Sequence, residues 1–428
     1  MSVPEVPQRP PSPAVGPRVR DGIVKRGRTW SYVIRVKDPA TGVSRPRWVG
    51  GFGSEADAKA ARDQARVAAR AGQYVDRNVI TVAAYLDQWI EAHAVVVKPK
   101  TLQDYRHLLD RHVKPRIGGL RLQAVRPAQI TALYRALVSD GGRGGKGLSP
   151  RTVEYAHAVL RKAFRDAVVV DQLLASSPVE RAKRPRSPVR ERGGIWTPGQ
   201  LAAFLGTAKG HRLFAFFHLA AYTGARRGEL LNLRWCDVDL DAAEVRITGS
   251  AAVIGGQRIE GTTKSGRSRT VSIDAGTVQV LREHCDRQAA DRDIVGPEWH
   301  EGGYVFATAW GDPVHPDTVS SLVADLIRAH NSSVAGDDRD GLLPLARLHD
   351  LRHVHATTLL LAGVPVHVVA ARLGHVDPSV TLRMYAHVIR DQVAEAADVF
   401  ARSIAASSTA GVSKSVSKNA PRRTAEGF

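Results

Sequence analysis

The spacing of apolar residues changes character along the chain, and each change marks a new unit. Between Trp30 and Val36 they alternate, with Trp30, Tyr32, Ile34 and Val36 on one face and Arg28, Arg35 and Lys37 interleaved or adjacent. A period of two predicts a strand. The stretch D-P-A-T-G (Asp38 to Gly42) has turn chemistry, and Arg45 to Val49, with Trp48, returns as a second strand. Ser54, with Asp57 three residues on, forms a capping pair that opens an Ala/Arg helix ending near Gly72. Residues 21–78 therefore predict a small sheet packed on one helix, after a Pro-rich segment, 1–20, expected to be disordered.

From Thr81 the period becomes helical: Val82, Tyr85, Leu86 and Trp89 form one stripe behind a Thr81 cap. A second helix is expected from Thr101, with Tyr105, Leu108, Leu109 and His112 on one side, and a third after Pro127, with Ile130, Leu133, Tyr134 and Leu137. After the loop G-G-R-G-G-K-G, Ser149-Pro150 opens a fourth, whose core face holds Val153, Val159, Leu160 and Phe164. Residues 79–180 thus read as an all-α four-helix domain. The Pro-broken basic run from Arg181 predicts an extended linker over 181–195. Thr197-Pro198 opens a third domain, 196–402, mixed but mainly α, with short strands such as Glu244 to Ile247 and Ser268 to Ile273. Residues 403–428 have no period and are expected to be disordered.

Charge narrows the field of partners. The 428 residues hold 61 Lys plus Arg against 42 Asp plus Glu, a net charge of +19 and a pI near 10.3. Residues 1–80 carry 15 basic and 7 acidic side chains, and residues 100–190 carry 19 and 7. Such a surplus favours a polyanion, because bound phosphates release their counterions. The longest apolar run, Leu213 to Tyr222, is too short to span a bilayer and contains His218. No membrane association is expected, and the N-terminus lacks a secretory h-region, so a cytoplasmic location is expected. Cys236 and Cys285 form neither a CxxC pair nor a disulfide framework, which excludes a zinc finger.

Four short features of the third domain could carry chemistry. T-G-A-R-R-G-E-L (Thr223 to Leu230) ends one helix at Gly224 and opens another with Arg226, Arg227 and Glu229. T-K-S-G-R-S-R presents Lys264, at what reads as a hairpin tip. H-D-L-R-H-V-H puts His349, Arg352 and His353 within one turn. L-G-H ends on His375, and Asp377-Pro378 then starts a helix carrying Tyr385. Each alone has an ordinary structural explanation. Together they supply arginine forks, a lysine, imidazoles and a hydroxyl nucleophile with no carboxylate cluster for a metal, an inventory suited to phosphoryl transfer.

In this order, T-G-x-R…K…H-x-x-R…L-G-H…Y resembles the tyrosine recombinase (phage integrase) family. The intervals of 38 residues from Arg226 to Lys264, 23 from Arg352 to His375 and 10 from His375 to Tyr385 are of the kind that family uses. The resemblance implies that Arg226 and Arg352 clamp a scissile phosphate, that Tyr385 attacks it to leave a 3′-phosphotyrosine, and that Lys264 protonates the departing 5′-hydroxyl. His349 and His375 would assist, with Glu229 and His353 behind them. Arg227 follows Arg226 directly, so helix phase decides which touches phosphate; alignment with T-G-x-R favours Arg226.

The resemblance also implies a fold of three parts. These are a small α+β arm-type DNA-binding domain, an all-α core-binding domain and a mixed mainly-α catalytic domain. Candidate DNA contacts are Arg28, Arg35, Lys37 and Arg45 on the sheet, Lys100 and Arg151 on the helices, and Lys183 and Arg184 in the linker. Implied partners are double-stranded DNA attachment sites, three further copies of the chain in a homotetramer, an excisionase and a host DNA-bending protein. No cofactor is expected.

Three rivals remain to be weighed. A metal hydrolase could use His349 and His353, four apart, but Arg352 within a turn of both would repel a divalent cation, and Asp350 stands where Glu is required. A type IB topoisomerase shares the pocket chemistry but has no use for a basic arm domain. A pure DNA-binding regulator leaves the ordered Arg, Lys, His and Tyr set to chance.

Overall fold

The computed structural model describes residues 21–37, 41–71, 74–185, 195–264, 266–334, 341–375, 377, 379, 381–382 and 400–402. The chain divides into two compact units, Met1–Val189 and Arg190–Phe428. The first holds both the sheet module and the helical bundle.

Three antiparallel strands form the sheet: β1 (Ile23–Arg26), β2 (Thr29–Lys37) and β3 (Ser44–Phe52), with β2 central. Helix α1 (Glu55–Arg70) covers one face, packing Ala58 and Ala65 against Ile23, Tyr32, Ile34 and Val49. Ser54 Oγ accepts the Asp57 backbone N–H at 3.1 Å, which is the cap that the pairing of Ser54 with Asp57 suggests. β1 was not foreseen, because four residues are too few to display a period.

The bundle consists of α2 (Val82–His93), α3 (Pro99–Leu108), α4 (Lys114–Ile117), α5 (Pro127–Asp140) and α6 (Pro150–Val169). Its second helix starts at Pro99 rather than Thr101, and a π turn, Leu109–Val113, joins α3 to α4. Pro115 explains the widening, since its ring would otherwise press on the carbonyl four residues back. The core gathers Tyr85, Leu86, Leu109, Ile130, Tyr134 and Phe164. Two of its aromatic residues pair their polar atoms: Tyr85 Oη donates to Ala163 O at 2.8 Å, and Trp89 Nε1 to Asp166 Oδ2 at 2.8 Å.

The second unit begins with α7 (Pro198–Ala208), capped reciprocally by Thr197 and Gln200. Helix α8 (Phe214–Thr223) is buried on nearly every side, as its unbroken apolar sequence requires, and α9 (Arg227–Leu231) follows. Two small sheets come next. Strands β4 (Val238–Asp239), β5 (Glu244–Ile247) and β8 (Arg269–Ser272) form one, and β6 (Gly249–Ile254) and β7 (Gln257–Thr262) form a hairpin. Gly255 and Gly256, both at positive φ, make its turn. Because β7 and β8 belong to different sheets, Lys264 lies in the connection between sheets and not at a hairpin tip. Helices α10 (Ala275–Val295), α11 (Pro316–Ser333), α12 (Leu348–Leu361) and α13 (Val366–Leu373) follow. They close over a core that includes Phe204, Phe216, Phe217, Val271, Leu281 and Phe306.

Candidate active site

Helix α8 ends at Gly224 in the left-handed conformation, φ 62°. A Cβ there would lie 2.7 Å from Leu373 Cδ2 and 2.9 Å from His355 Cδ2, so both the backbone and the space require glycine. This tight turn aims the Gly224 carbonyl at α12, where Arg352 Nη1 donates to it at 2.6 Å. Arg352 Nη2 donates to Leu373 O at 2.8 Å and to His375 Nε2 at 2.9 Å. Arg352 is 4% exposed. The ends of α8 and α13 are thus pinned to α12 by one guanidinium.

Arginine has no acceptor, so His375 Nε2 must be unprotonated in this arrangement. Its Nδ1 then carries the proton and donates to Thr381 Oγ1, 2.7 Å away. Burial, with Arg352, Arg226, Arg269 and His349 beside it, pushes the His375 imidazole down to about 4. His355 receives the Arg372 Nε–H at 3.2 Å and is likewise pushed down to about 4, by burial and then by Arg372. His349 is more exposed. Partial desolvation and the neighbouring His353, Arg352 and Arg226 bring it to about 4. His353 meets it edge to face, ring centroids 5.1 Å apart.

Arg226 caps α9. Its backbone N–H donates to Glu229 Oε2 at 2.9 Å and its Nη1 to Glu229 Oε1 at 2.7 Å. Arg269, opening β8, gives Nη2 to Glu229 Oε2 at 2.7 Å and Nε to Arg372 O at 3.0 Å. Burial pushes the Glu229 carboxyl up, but Arg269 and Arg226 outweigh it and hold it below the usual carboxylate range. Arg227 turns the other way, to Ser320 Oγ at 2.6 Å and Pro316 O at 3.1 Å on α11. Of the adjacent arginines, Arg226 shares the site's carboxylate and Arg227 braces a helix.

The fold therefore gathers Arg226, Glu229, His349, Arg352, His353 and His375. Lys264 is exposed in the turn five residues before Arg269. Tyr385 lies outside the described residues. Arg269, Arg372, His355 and Thr381 were not singled out from sequence. Arg269 could have been, by asking what else balances a buried Glu229. A cluster of guanidinium groups, one shared carboxylate and imidazoles neutral at pH 7 suits an anion with several oxygens. Among the described residues no three of His, Cys, Asp and Glu gather where they could hold a metal ion.

The DNA-contact candidates are dispersed. Strand alternation puts Arg35 and Lys37 on the sheet face away from α1, with Arg26 and Trp48, whose guanidinium and ring stack at 4.7 Å. Arg45 pairs with Val36 and falls on the opposite face, so these candidates do not share one surface. Arg28 is exposed in the β1–β2 turn. Lys100 pairs with Asp104 at 2.9 Å, and Arg151 and Arg184 flank Glu154 at 3.7 and 3.9 Å. Lys183 is exposed, and its backbone N–H donates to Thr131 Oγ1 at 3.0 Å.

Family models match the chain over part of the helical bundle and most of the second unit. Residues 197–391 match the model of the phage integrase family, and residues 81–138 that of the phage integrase N-terminal SAM-like domain. The tyrosine recombinase XerC-like protein of Caldanaerobacter subterraneus subsp. tengcongensis is 28% identical over 398 residues, covering 88% of this chain and 96% of that protein. The ICEBs1 integrase of Bacillus subtilis is 26% identical over 304 residues, covering 70% and 77%. Among solved structures, the Tn1549 transposon integrase in complex with a circular intermediate DNA has a TM-score of 0.61 at 20% identity, covering 74% of this chain and 99% of its own. A lambda integrase tetramer bound to a Holliday junction has a TM-score of 0.51 at 19% identity, covering 84% and 96%. These two likenesses are of fold.

Proposed function

The chain belongs to the phage integrase family of tyrosine recombinases, and from that premise we propose how its residues divide the work of cutting and rejoining DNA. It is a site-specific recombinase that integrates a phage or other mobile element through a covalent 3′-phosphotyrosine. The observation that carries the residue roles is the convergence of Arg226, through Glu229, and of Arg352, through Gly224, Leu373 and His375, on one cationic site.

Arg226 and Arg352 neutralise the non-bridging oxygens of the scissile phosphodiester. Tyr385 Oη attacks phosphorus and gives up its proton to His349, neutral at pH 7, while His375, whose Nε2 accepts from Arg352, assists in holding the phosphate site. The bond from phosphorus to the 5′-oxygen breaks, and Lys264 protonates that oxygen. The phosphotyrosine keeps the phosphoester intact, so a 5′-hydroxyl from the partner strand can reverse the step without ATP. Glu229 holds Arg226, and His353 supports His349.

The sheet module, residues 21–78, is the arm-type DNA-binding domain, residues 79–180 the core-binding domain and residues 196–402 the catalytic domain, joined by the basic linker 181–195. Four copies act on two attachment sites, since two duplexes present four strands. An excisionase and a host DNA-bending protein set direction. The test is a nicked duplex carrying candidate sites, incubated in EDTA with wild-type protein and with Tyr385→Phe and resolved on a denaturing gel. Protein-linked DNA formed by wild type alone supports the assignment; a band that persists in Tyr385→Phe refutes it.

A further inference from the structure

Glu229 holds two arginines, and the mechanism above uses one of them. The other, Arg269, has a side chain only 12% exposed. Its guanidinium spans two partners on different segments: Glu229 Oε2 on α9 at 2.7 Å and the Arg372 carbonyl at the end of α13 at 3.0 Å. Gly374, at φ 70°, makes room for it, because a Cβ there would come within 2.8 Å of Arg269 Nη1. Arg269 also continues directly from the turn that carries Lys264. Three stretches of chain that the proposed reaction needs therefore meet at one side chain.

We propose that Arg269 is a positioning residue for strand cleavage, a brace that fixes Arg226 relative to His375 and ties the Lys264 turn to both. This rests on the phosphotyrosine reading above. The physical reason lies in how Glu229 shares its oxygens. Oε1 accepts one bond from Arg226, while Oε2 is taken by Arg269 and by the Arg226 backbone N–H. A carboxylate released by Arg269 would draw the Arg226 guanidinium into a two-pronged pair and turn its fork away from phosphate. The turn before His375 would at the same time lose its anchor at Arg372 O.

The test uses the full chain and a library of nicked duplexes from which wild type has captured a covalent substrate. Single-turnover adduct formation and equilibrium binding to that duplex are measured for wild type, Arg269→Lys, Arg269→Met and the double variant Arg269→Met/Glu229→Gln. Adduct formation by Arg269→Met falls roughly 10- to 100-fold, the loss typical of displacing a reacting group by about 1 Å, while DNA affinity is kept. Arg269→Lys, with charge but no fork, falls in between. The double variant regains part of the rate, because Gln no longer captures Arg226; a merely structural loss would deepen instead. Should Arg269→Met fail to fold, Arg269→Lys carries the test by the same split between rate and affinity. Wild-type rates in Arg269→Met or Arg269→Lys, or parallel losses of rate and affinity, overturn the brace. If wild type binds the library but links to no member, the phosphotyrosine reading fails and the brace with it.

Discussion

Replacing Arg352 by lysine keeps a charge and removes a fork, which separates two contributions that the site otherwise combines. Arg352 serves Gly224 O at 2.6 Å, Leu373 O at 2.8 Å and His375 Nε2 at 2.9 Å from two different nitrogens. A single ammonium can serve one of those directions well, so two of the three acceptors lose their partner. A buried acceptor left unpaired costs about 1–3 kcal/mol, so the variant loses about 2–6 kcal/mol. At about 2–4 °C per kcal/mol for a unit of this size, Tm of the C-terminal unit falls by roughly 12 °C at the middle of those ranges. Cleavage suffers separately: losing one pre-aimed donor to the developing phosphorane charge lowers the rate by about 10²–10³. DNA affinity changes by less than about threefold, because the charge stays. The assay is single-turnover adduct formation on a nicked duplex at saturating protein, with calorimetry of the same samples. Adduct formation within threefold of wild type, at unchanged Tm, would refute the fork argument.

Acid should weaken the fold through the same imidazoles. His349, His355 and His375 are held at about 4 against an ordinary 6.5, so the unfolded chain binds more protons between those values. Stability is therefore full above about pH 6.5 and is lost as the pH falls toward 4; a Tm that stays level across that window contradicts the burial described. Gly224→Ala forces a side chain into left-handed backbone, at about 1–2 kcal/mol, with Leu373 Cδ2 2.7 Å from the new Cβ. Tm and cleavage should fall together, since Arg352 hangs on that carbonyl, and an unaltered melting curve would dismiss the crowding. Non-specific DNA affinity should drop by about 10³–10⁵ between 50 and 200 mM salt if roughly 6–10 phosphates are contacted. A flat response would count against DNA as the partner.

Local chemistry was legible in the sequence, and long-range pairing was not. Thr81, Ser149 and Thr197 each cap the helix that their side chains suggested, because a cap bond reaches only three residues along the chain. Gly224 ends α8 for an equally local reason. Lys264 was misread as a hairpin tip because its flanking strands pair with strands elsewhere, β7 with β6 and β8 with β5. No spacing rule reports that. Arg269 escaped notice similarly, since its partner on α13 is 103 residues away. Arg226, His349 and His375 could be named because each sits beside a helix boundary; what holds them in place came from tertiary contacts.

The central claim is that Tyr385 becomes covalently joined to DNA. The most direct measurement is mass spectrometry of the protein–DNA adduct after nuclease and trypsin digestion. A nucleotide-bearing peptide Met384–Arg390, with the modification on Tyr385, is the result this account predicts. An adduct mapped to any other residue would contradict it.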